Sequence, residues 1–267
     1  MKVAGVARST FFYHQARLDR PDPHAELKAE ITEVFEAARG RYGHRRVHDA
    51  LTHAGRPVAK KTVLKLMNTL GLRSHVRRRR RSCQAWSGQP ATAAPNILDR
   101  QFTATEPNTK WVTDITEFRI GDRKIYLSPV IDLFDRSVIA YSYGPSPTMD
   151  LVNTALRDAI ATLHPGQRPL VHSDQGLHYQ HPTWRAILDK ARLPQSMSRR
   201  GNCLDNAMAE NFFGHLKAEL FHHTKFDTVT ELTTELDNYI DWYNTTRIST
   251  TLGGLNPAQY RAQNQPA

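Results

Sequence analysis

Cysteine is scarce: Cys83 and Cys203 are the only two in the chain, which excludes a disulfide scaffold and fits a reducing cytoplasm. Long apolar runs are missing too, none approaching the ~18 residues that a membrane span needs. Arg8 interrupts the short apolar stretch of the opening MKVAGVARSTFF, so neither an anchor nor a secretory signal is expected. Cysteine pairs at metal-binding spacing are also lacking. The 13 histidines, with His44 and His48 one helical turn apart and His172, His178 and His181 clustered, therefore do not lead us to expect zinc.

What is present suffices for a core: 39% hydrophobic residues over 267 positions, a length of roughly two domains. Charge is unevenly placed. Residues 1–81 carry 19 Lys and Arg against seven Asp and Glu, whereas residues 82–267 carry 17 against 19. A basic front attached to a body with excess acid suggests a module that meets a polyanion, joined to acids that need a cation to approach the same polyanion.

In chain order, residues 1–20 read equally as the end of a helical unit or as a loosely attached terminus. From Glu26, the residues Leu27, Ile31, Val34, Phe35 and Ala38 form a helical stripe stopped by Gly40. A second helix is expected around Arg46 to Ala54 and a third from Ala59 to Leu70, the latter with Lys60, Lys61 and Lys65 on its outward side. Three short helices ending in a basic one suggest a helix-turn-helix-like module; the plainer alternative is a basic, solvated bundle. The run Arg77, Arg78, Arg79, Arg80, Arg81 favours DNA, since adjacent guanidinium groups repel one another without an anionic partner and contact phosphates without reading sequence. Residues 82–108, rich in Ser, Gln, Pro, Ala and Thr, read as a linker with little structure.

Strands are expected at Trp111–Ile120, Lys124–Asp132 and Ser137–Tyr143. A helix should then run from about Thr148 to Leu163, a buried strand end before Asp174, a helix from His181 to Arg192, and a short strand from Gln195 to Ser198. A final amphipathic helix follows Asp205, with Asp205 or Asn206 available as its N-cap. We divide the chain into residues 1–24, 25–76, 77–108, 109–226 and 227–267, the last a C-terminal helix and tail docked by Trp242 and Tyr243. This order is that of an α/β, RNase H-like mixed five-stranded sheet with flanking helices, preceded by a small all-α domain.

Three acids stand out within that frame. Asp174 ends an apolar strand, where open sheets place their ligands. Glu210 lies 35 intervening residues later within the amphipathic helix. Asp114 sits mid-strand among β-branched residues, which is unfavourable unless it is paired or metal-bound. In the RNase H-like order the first strand is central and the fourth lies beside it, which would bring Asp114 and Asp174 together. Carboxylates from separate elements suit hard divalent cations that clamp the attacking and leaving oxygens of a phosphoryl displacement. Asp132, at a strand end, reads as a turn cap.

The chain resembles the second-frame (OrfB-type) catalytic subunits of DDE insertion-sequence transposases in the IS-three group, relatives of retroviral integrases. The resemblance rests on RGRYGHRRVHDAL, KKTVLKLMNTLGL, KWVTDITEF, VIDLFDRSVIAY, VHSDQGLHYQ, SMSRRGNCLDNAMAENFFGHLKAEL and YNTTRISTTLGGLNPAQYR. It implies that Asp114, Asp174 and Glu210 are the catalytic, metal-holding triad, with Mg²⁺ as the metal and Mn²⁺ as the alternative. It also implies phosphate contacts from Lys217, Arg199, Arg200 and Asn202. The implied reaction is cleavage at the element's ends followed by attack of the freed 3′-hydroxyl on DNA, by a homo-oligomer on double-stranded DNA in the bacterial cytoplasm, with a first-frame partner or fusion. Asp135 departs from the family, which more often has Ser there. Two rival readings are an RNase H-like nuclease that never joins strands and a DNA-binding regulator with a silent catalytic domain.

Overall fold

A computed structural model describes residues 7–18, 21–76, 93–199 and 203–265. Two compact units divide at Ser74 and His75. The first contains helices α1 (Arg8–Leu18), α2 (Ala25–Ala37), α3 (His44–His53) and α4 (Lys60–Thr69). Ile31, Val47, Leu51, Val63, Leu66 and Met67 are buried where α2, α3 and α4 meet. Lys60, Lys61 and Lys65 of α4 are exposed, as the apolar periodicity requires.

The second unit is built on one mixed sheet. Its strands are β1 (Lys110–Thr113), β2 (Thr116–Ile120), β3 (Arg123–Asp132), β4 (Val138–Gly144), β5 (Leu170–Ser173) and β6 (Gln195–Met197). The helices are α5 (Met149–Ala161), α6 (Leu177–Gln180), α7 (Pro182–Ala191), α8 (Ala207–Glu219), α9 (Val229–Thr245) and α10 (Pro257–Asn264). β1 lies centrally, antiparallel to β3 and parallel to β5, with β6 beyond β5 and β4 on the far side of β3.

The expected strand Trp111–Ile120 is broken into β1 and β2 at Asp114 and Ile115. The reason is local: Asp114 Oδ1 accepts the Ile115 N–H at 2.7 Å, removing that donor from the ladder. Pairing with β3 then resumes in unchanged register, Thr113 facing Val130 and Thr116 facing Leu127. In that register Asp114 falls opposite Pro129, which has no N–H to offer.

Alternation along the strands separates two cores. Trp111 and Val171 point to the cluster containing α5 and α7 residues such as Leu156 and Leu188. Val112, with Leu170 packed alongside, points to the cluster containing Phe212, Leu216, Leu236 and Tyr243 of α8 and α9. Asp114 shares the parity of Val112, and Asp174 that of Leu170, so both belong to the α8 side. Tyr243 docks α9 as expected, its ring centroid 5.1 Å from that of Phe212.

Residues 93–108 contain no helix or strand, yet part of this stretch is packed rather than loose. Leu98 is buried, and the N–H groups of Ile97 and Leu98 donate to Ser196 Oγ at 3.0 and 3.1 Å. Polar composition misleads here because the segment's backbone donors are satisfied by a side chain of β6.

Two buried ion clusters hold the C-terminal part. Arg247 donates to both oxygens of Glu219 at 2.7 and 2.8 Å, and the Tyr239 hydroxyl donates to the same carboxylate at 2.9 Å. Arg261 of α10 pairs with Asp132 at 2.7 Å and with Asp135. Asp132 also accepts the Phe134 N–H at 3.0 Å, the turn-capping position read from the sequence. Removing one partner of a buried pair strands the other charge. Glu219→Gln should therefore destabilise the 75–267 unit by about 3–5 kcal/mol, seen as a lower urea midpoint at unchanged slope, with Glu219→Gln/Arg247→Met recovering much of the loss.

Candidate active site

β1 and β5 run side by side, and their last parallel pair is Val112 with His172. Two residues further along each strand stands an acid, Asp114 on one and Asp174 on the other, at the carboxyl edge of the sheet. Glu210 lies in the first turn of α8. All three side chains belong to residues of intermediate exposure.

Electrostatics place them within one another's field. Asp114's carboxyl is held well above the usual carboxylate range, first by burial, then by the negative charge of Asp174 and, more weakly, that of Glu210. Burial raises Asp174 as well. Two backbone donors work against these shifts: Ile115 N–H on Asp114, and Gly176 N–H on Asp174 at 2.9 Å. A Cβ at 176 would come within 2.9 Å of Asp174 Oδ1, the atom that the Gly176 N–H holds, so a larger residue there would shift the carboxylate.

Several neighbours escaped sequence reasoning. Asn206, buried at the N-cap position of α8, turns its amide toward Asp114 and partly relieves its charge, although neither amide atom has a hydrogen bond of good geometry. Asn206 therefore does not cap α8 through its side chain, and neither does Asp205. Beneath the acids, the buried hydroxyls of Thr113, Ser128 and Tyr179 gather. The Tyr179 phenol is pushed well above its ordinary value by burial and then by Asp114 and Asp174. The only advance signal for Tyr179 was its place five residues after Asp174.

The remaining predicted residues fare differently. Arg199 forms a fork on Asp205, Nε to Oδ2 at 2.8 Å and Nη2 to Oδ1 at 2.9 Å, so its guanidinium is engaged within the protein. Lys217 carries its ammonium over the Phe118 ring, 5.5 Å from the centroid. Arg200, Asn202 and Arg77 to Arg81 lie outside the described residues.

The donor set fits a hard divalent cation: acids from two strands and a helix, with an unsatisfied buried amide beside them. The two strand acids are driven toward the protonated form, and a cation would relieve that charge. Among the described residues, no three His, Cys, Asp or Glu side chains are drawn into a finished cage.

Comparison with known proteins decides the family. Integrase core domain models match residues 104–203 and 210–264, and an HTH-like domain model matches residues 23–80. The protein named transposase InsK for insertion sequence element IS150 of Escherichia coli (strain K12) is 45% identical over 98% of this chain and 92% of its own length. The chain belongs to the IS-three-group DDE insertion-sequence transposases. Transposase InsF for insertion sequence IS3A of the same organism is 33% identical over 98% of this transposase and 93% of its own length. The chain matches one in a simian T-cell lymphotropic virus intasome at a TM-score of 0.50 and 18% identity, covering 80% of this chain and 69% of that one. That likeness speaks for the RNase H-like fold alone. Among the described residues, no helix is long and apolar enough to cross a membrane.

Raised carboxyls have a thermodynamic signature. A group that keeps its proton to higher pH when folded makes the folded state lose stability as pH climbs from about 4 through the raised value. Asp114→Asn removes that penalty. In chelator at about pH 8 the variant should melt above the parent, by roughly 2–4 °C for each kcal/mol relieved, and near pH 4 the two should coincide. Equal melting at both pH values would show that Asp114 is not held above its normal range.

Proposed function

We propose that Asp114, Asp174 and Glu210 are the catalytic residues of this transposase and together hold Mg²⁺, or Mn²⁺ in its place. The observation that carries this reading is the placement of two acids at adjacent ends of the paired strands β1 and β5, on the face of the sheet against which the Glu210 helix packs. The relatives are transposases, so the chain's reaction is DNA transposition rather than that of a simple nuclease or a silent regulator. We assign it strand cleavage at the ends of an insertion sequence, followed by joining of the freed 3′-hydroxyl to target DNA.

Bound there, a divalent cation supplies activation of the attacking oxygen and neutralisation of charge on the leaving one. The chain's own residues set the geometry. Asp114 and Asp174 are anchored by the sheet, with Ile115 and Gly176 N–H each fixing one oxygen of a carboxylate. Glu210 approaches from α8 on the same side of the sheet. Lys217, two turns further along the same face of that helix, is assigned to the DNA phosphates, a contact for which it would leave the Phe118 ring.

The first unit is assigned to double-stranded DNA. α4 offers a shallow surface hollow lined by Lys61, Leu64, Lys65, Asn68 and Thr69, with Leu64 exposed rather than packed. Ammonium groups flanking an apolar and an amide side chain on one helix face suit phosphates at the rim and base edges at the centre. The arginines from Arg77 to Arg81 are assigned to phosphates alone. We also assign the working form to a homo-oligomer on DNA, acting in the bacterial cytoplasm with a first-frame partner or fusion.

Labelled element ends incubated with target DNA, with and without Mg²⁺, test this directly. The parent should give joined product only with the metal. Asp114→Asn, Asp174→Asn and Glu210→Gln should each abolish both steps while leaving end binding within about threefold, a difference below 1 kcal/mol. Cut product that is never joined would reduce the protein to a nuclease, and retained cleavage in one variant would remove that residue from the triad.

The α4 assignment has its own measure. Replacing Lys61 and Lys65 with Gln should lower end affinity and reduce the slope of log affinity against log salt by roughly 2. An unchanged slope would place the phosphate contacts elsewhere.

A further inference from the structure

Asp205 is a buried carboxylate gripped from two directions. Its Oδ2 accepts Arg199 N–H at 3.0 Å, Arg199 Nε at 2.8 Å and Asn96 Nδ2 at 3.1 Å. Its Oδ1 accepts Arg199 Nη2 at 2.9 Å and Arg100 Nε at 2.8 Å. Five donors saturate a carboxylate's lone-pair directions. Arg199 comes from the stretch after β6, whereas Asn96 and Arg100 come from the segment that leads into the catalytic unit.

The backbone of Asp205 is held as well, and the hydrogen positions follow from the network. Ser196 Oγ already accepts the N–H groups of Ile97 and Leu98, so its own hydrogen points to His172 Nδ1, 2.8 Å away. His172 Nδ1 is thus an acceptor and the ring's proton sits on Nε2. From there it is shared between the Asp205 carbonyl at 3.0 Å and Ser198 Oγ at 3.1 Å. His172 is completely enclosed, in keeping with a neutral ring. The chain of contacts runs from residues 97 and 98 through β6 and β5 to the turn that opens α8.

We propose that Asp205 is a positioning residue for the transposition reaction, registering the start of the Glu210 helix against the strand that carries Asp174, and that the segment containing Asn96 and Arg100 completes this registration. Three placements support it. Asp205 immediately precedes Asn206, whose amide faces Asp114, and stands in the 3-10 turn of Cys203–Asn206 that runs directly into α8. His172, its other anchor, is two residues from Asp174 on the same strand. Among the described contacts of α8's leading turn, the grip on the Asp205 carboxylate comes from residues distant in sequence, the amide of Asn96 and the guanidinium of Arg100, as well as from Arg199. Asn96, Arg100 and Asp205 also lie outside the residues that the integrase core models match. The inference rests on the assignment of Glu210 as a catalytic residue.

Small displacements of a reacting group are costly in rate, on the order of 100-fold for about 1 Å. Outer partners of metal ligands typically change metal affinity by about 10–100-fold. The test uses full-length Asp205→Asn, Arg100→Gln and Arg100→Lys, alongside the parent and Asp114→Asn. Four quantities are read: single-turnover cleavage of labelled ends, the KM for those ends, Mn²⁺ affinity without DNA by paramagnetic resonance, and thermal melting. We expect Asp205→Asn to cut the cleavage rate about 100-fold and to weaken Mn²⁺ binding about tenfold, with KM little changed. Arg100→Gln should move both in the same direction by less, and Arg100→Lys should restore part of the loss. If Asp205→Asn does not fold, Arg100→Gln carries the test, since the Arg199 fork remains.

Lower melting with unchanged Mn²⁺ affinity and cleavage would make the cluster purely structural and overturn the proposal. A raised KM at unchanged rate would overturn it too, by making the arginines DNA contacts. Asp114→Asn separates the two levels: if it still cleaves, the catalytic assignment has failed, whereas if it is dead and Asp205→Asn is fully active, only the positioning role has failed.

Discussion

Like charges crowded at the mouth of a sheet are the constraint from which the rest of this molecule follows. Asp114, Asp174 and Glu210 repel one another across partly excluded solvent, and such an arrangement collapses or neutralises unless its scaffold is stiff. Stiffness comes from the sheet. β1 is central, paired on both sides, and β5 lies beside it, so the two strand acids sit at adjacent strand ends, where neighbouring chains are about 4.8 Å apart. Each then takes one backbone N–H onto one oxygen, which orients the carboxylate and lowers the cost of its charge. The buried cores on either face, built on Trp111 and Trp184 on one side and Phe212 and Tyr243 on the other, resist the separation that the charges favour.

The helix acid is held by different means. α8 is fastened along its length by Ala209, Phe212, Phe213 and Leu216 in the core, and at its end by Glu219 on Arg247 and Tyr239. Its beginning combines apolar anchorage, Ala209 in the core with Met208 packed alongside, with a polar one. Asp205 and Asn206 are buried there as polar groups, and a polar anchor is stable only when saturated. Asp205 is saturated by side chains distant in sequence, while Asn206 is left without a good partner and faces the acids. The placement of Glu210 thus draws on core packing and on the hydrogen bonds of the preceding turn, whereas that of Asp114 and Asp174 depends on strand register.

Alternation and periodicity were sufficient to read most of this architecture. Val112 and Leu170 set the parity that sends Asp114 and Asp174 to the α8 side, and the spacing of Ala209, Phe212, Leu216 and Leu220 defines the helix that carries Glu210. The strand interruption at Asp114 was not legible, because it arises from a carboxylate capturing the N–H of the next residue, a contact that hydropathy does not encode. Residues 94–100 were read as part of a linker for a similar reason. Their composition is that of solvated chain, and only the three-dimensional neighbours Ser196 and Asp205 turn their polar atoms into anchors. Asp205 itself looked like a helix cap, since Asp before an apolar helical stripe usually is one. Two arginines outcompete the helix N–H groups for it, being charged donors in forked geometry.

Asp135 shows how a buried acid can be held by long-range pairing. A carboxylate fully enclosed in the turn after β3 would be untenable alone, but Ser137 donates to it through both its N–H at 2.9 Å and its hydroxyl at 2.7 Å, and Arg261 reaches it from α10. Asp132 shares the same arginine, so two acids and one guanidinium tie the last helix to the β3–β4 turn. This turn lies at the Trp111 end of the β1–β3 ladder, away from the strand ends that carry Asp114 and Asp174. The sheet therefore has buried acids at both ends. At one end Arg261 reaches both carboxylates and offsets part of the burial that raises Asp132, which makes a fastening. At the other, burial raises Asp114 and Asp174 while backbone N–H groups are the donors described on them, which suits a site for cationic chemistry.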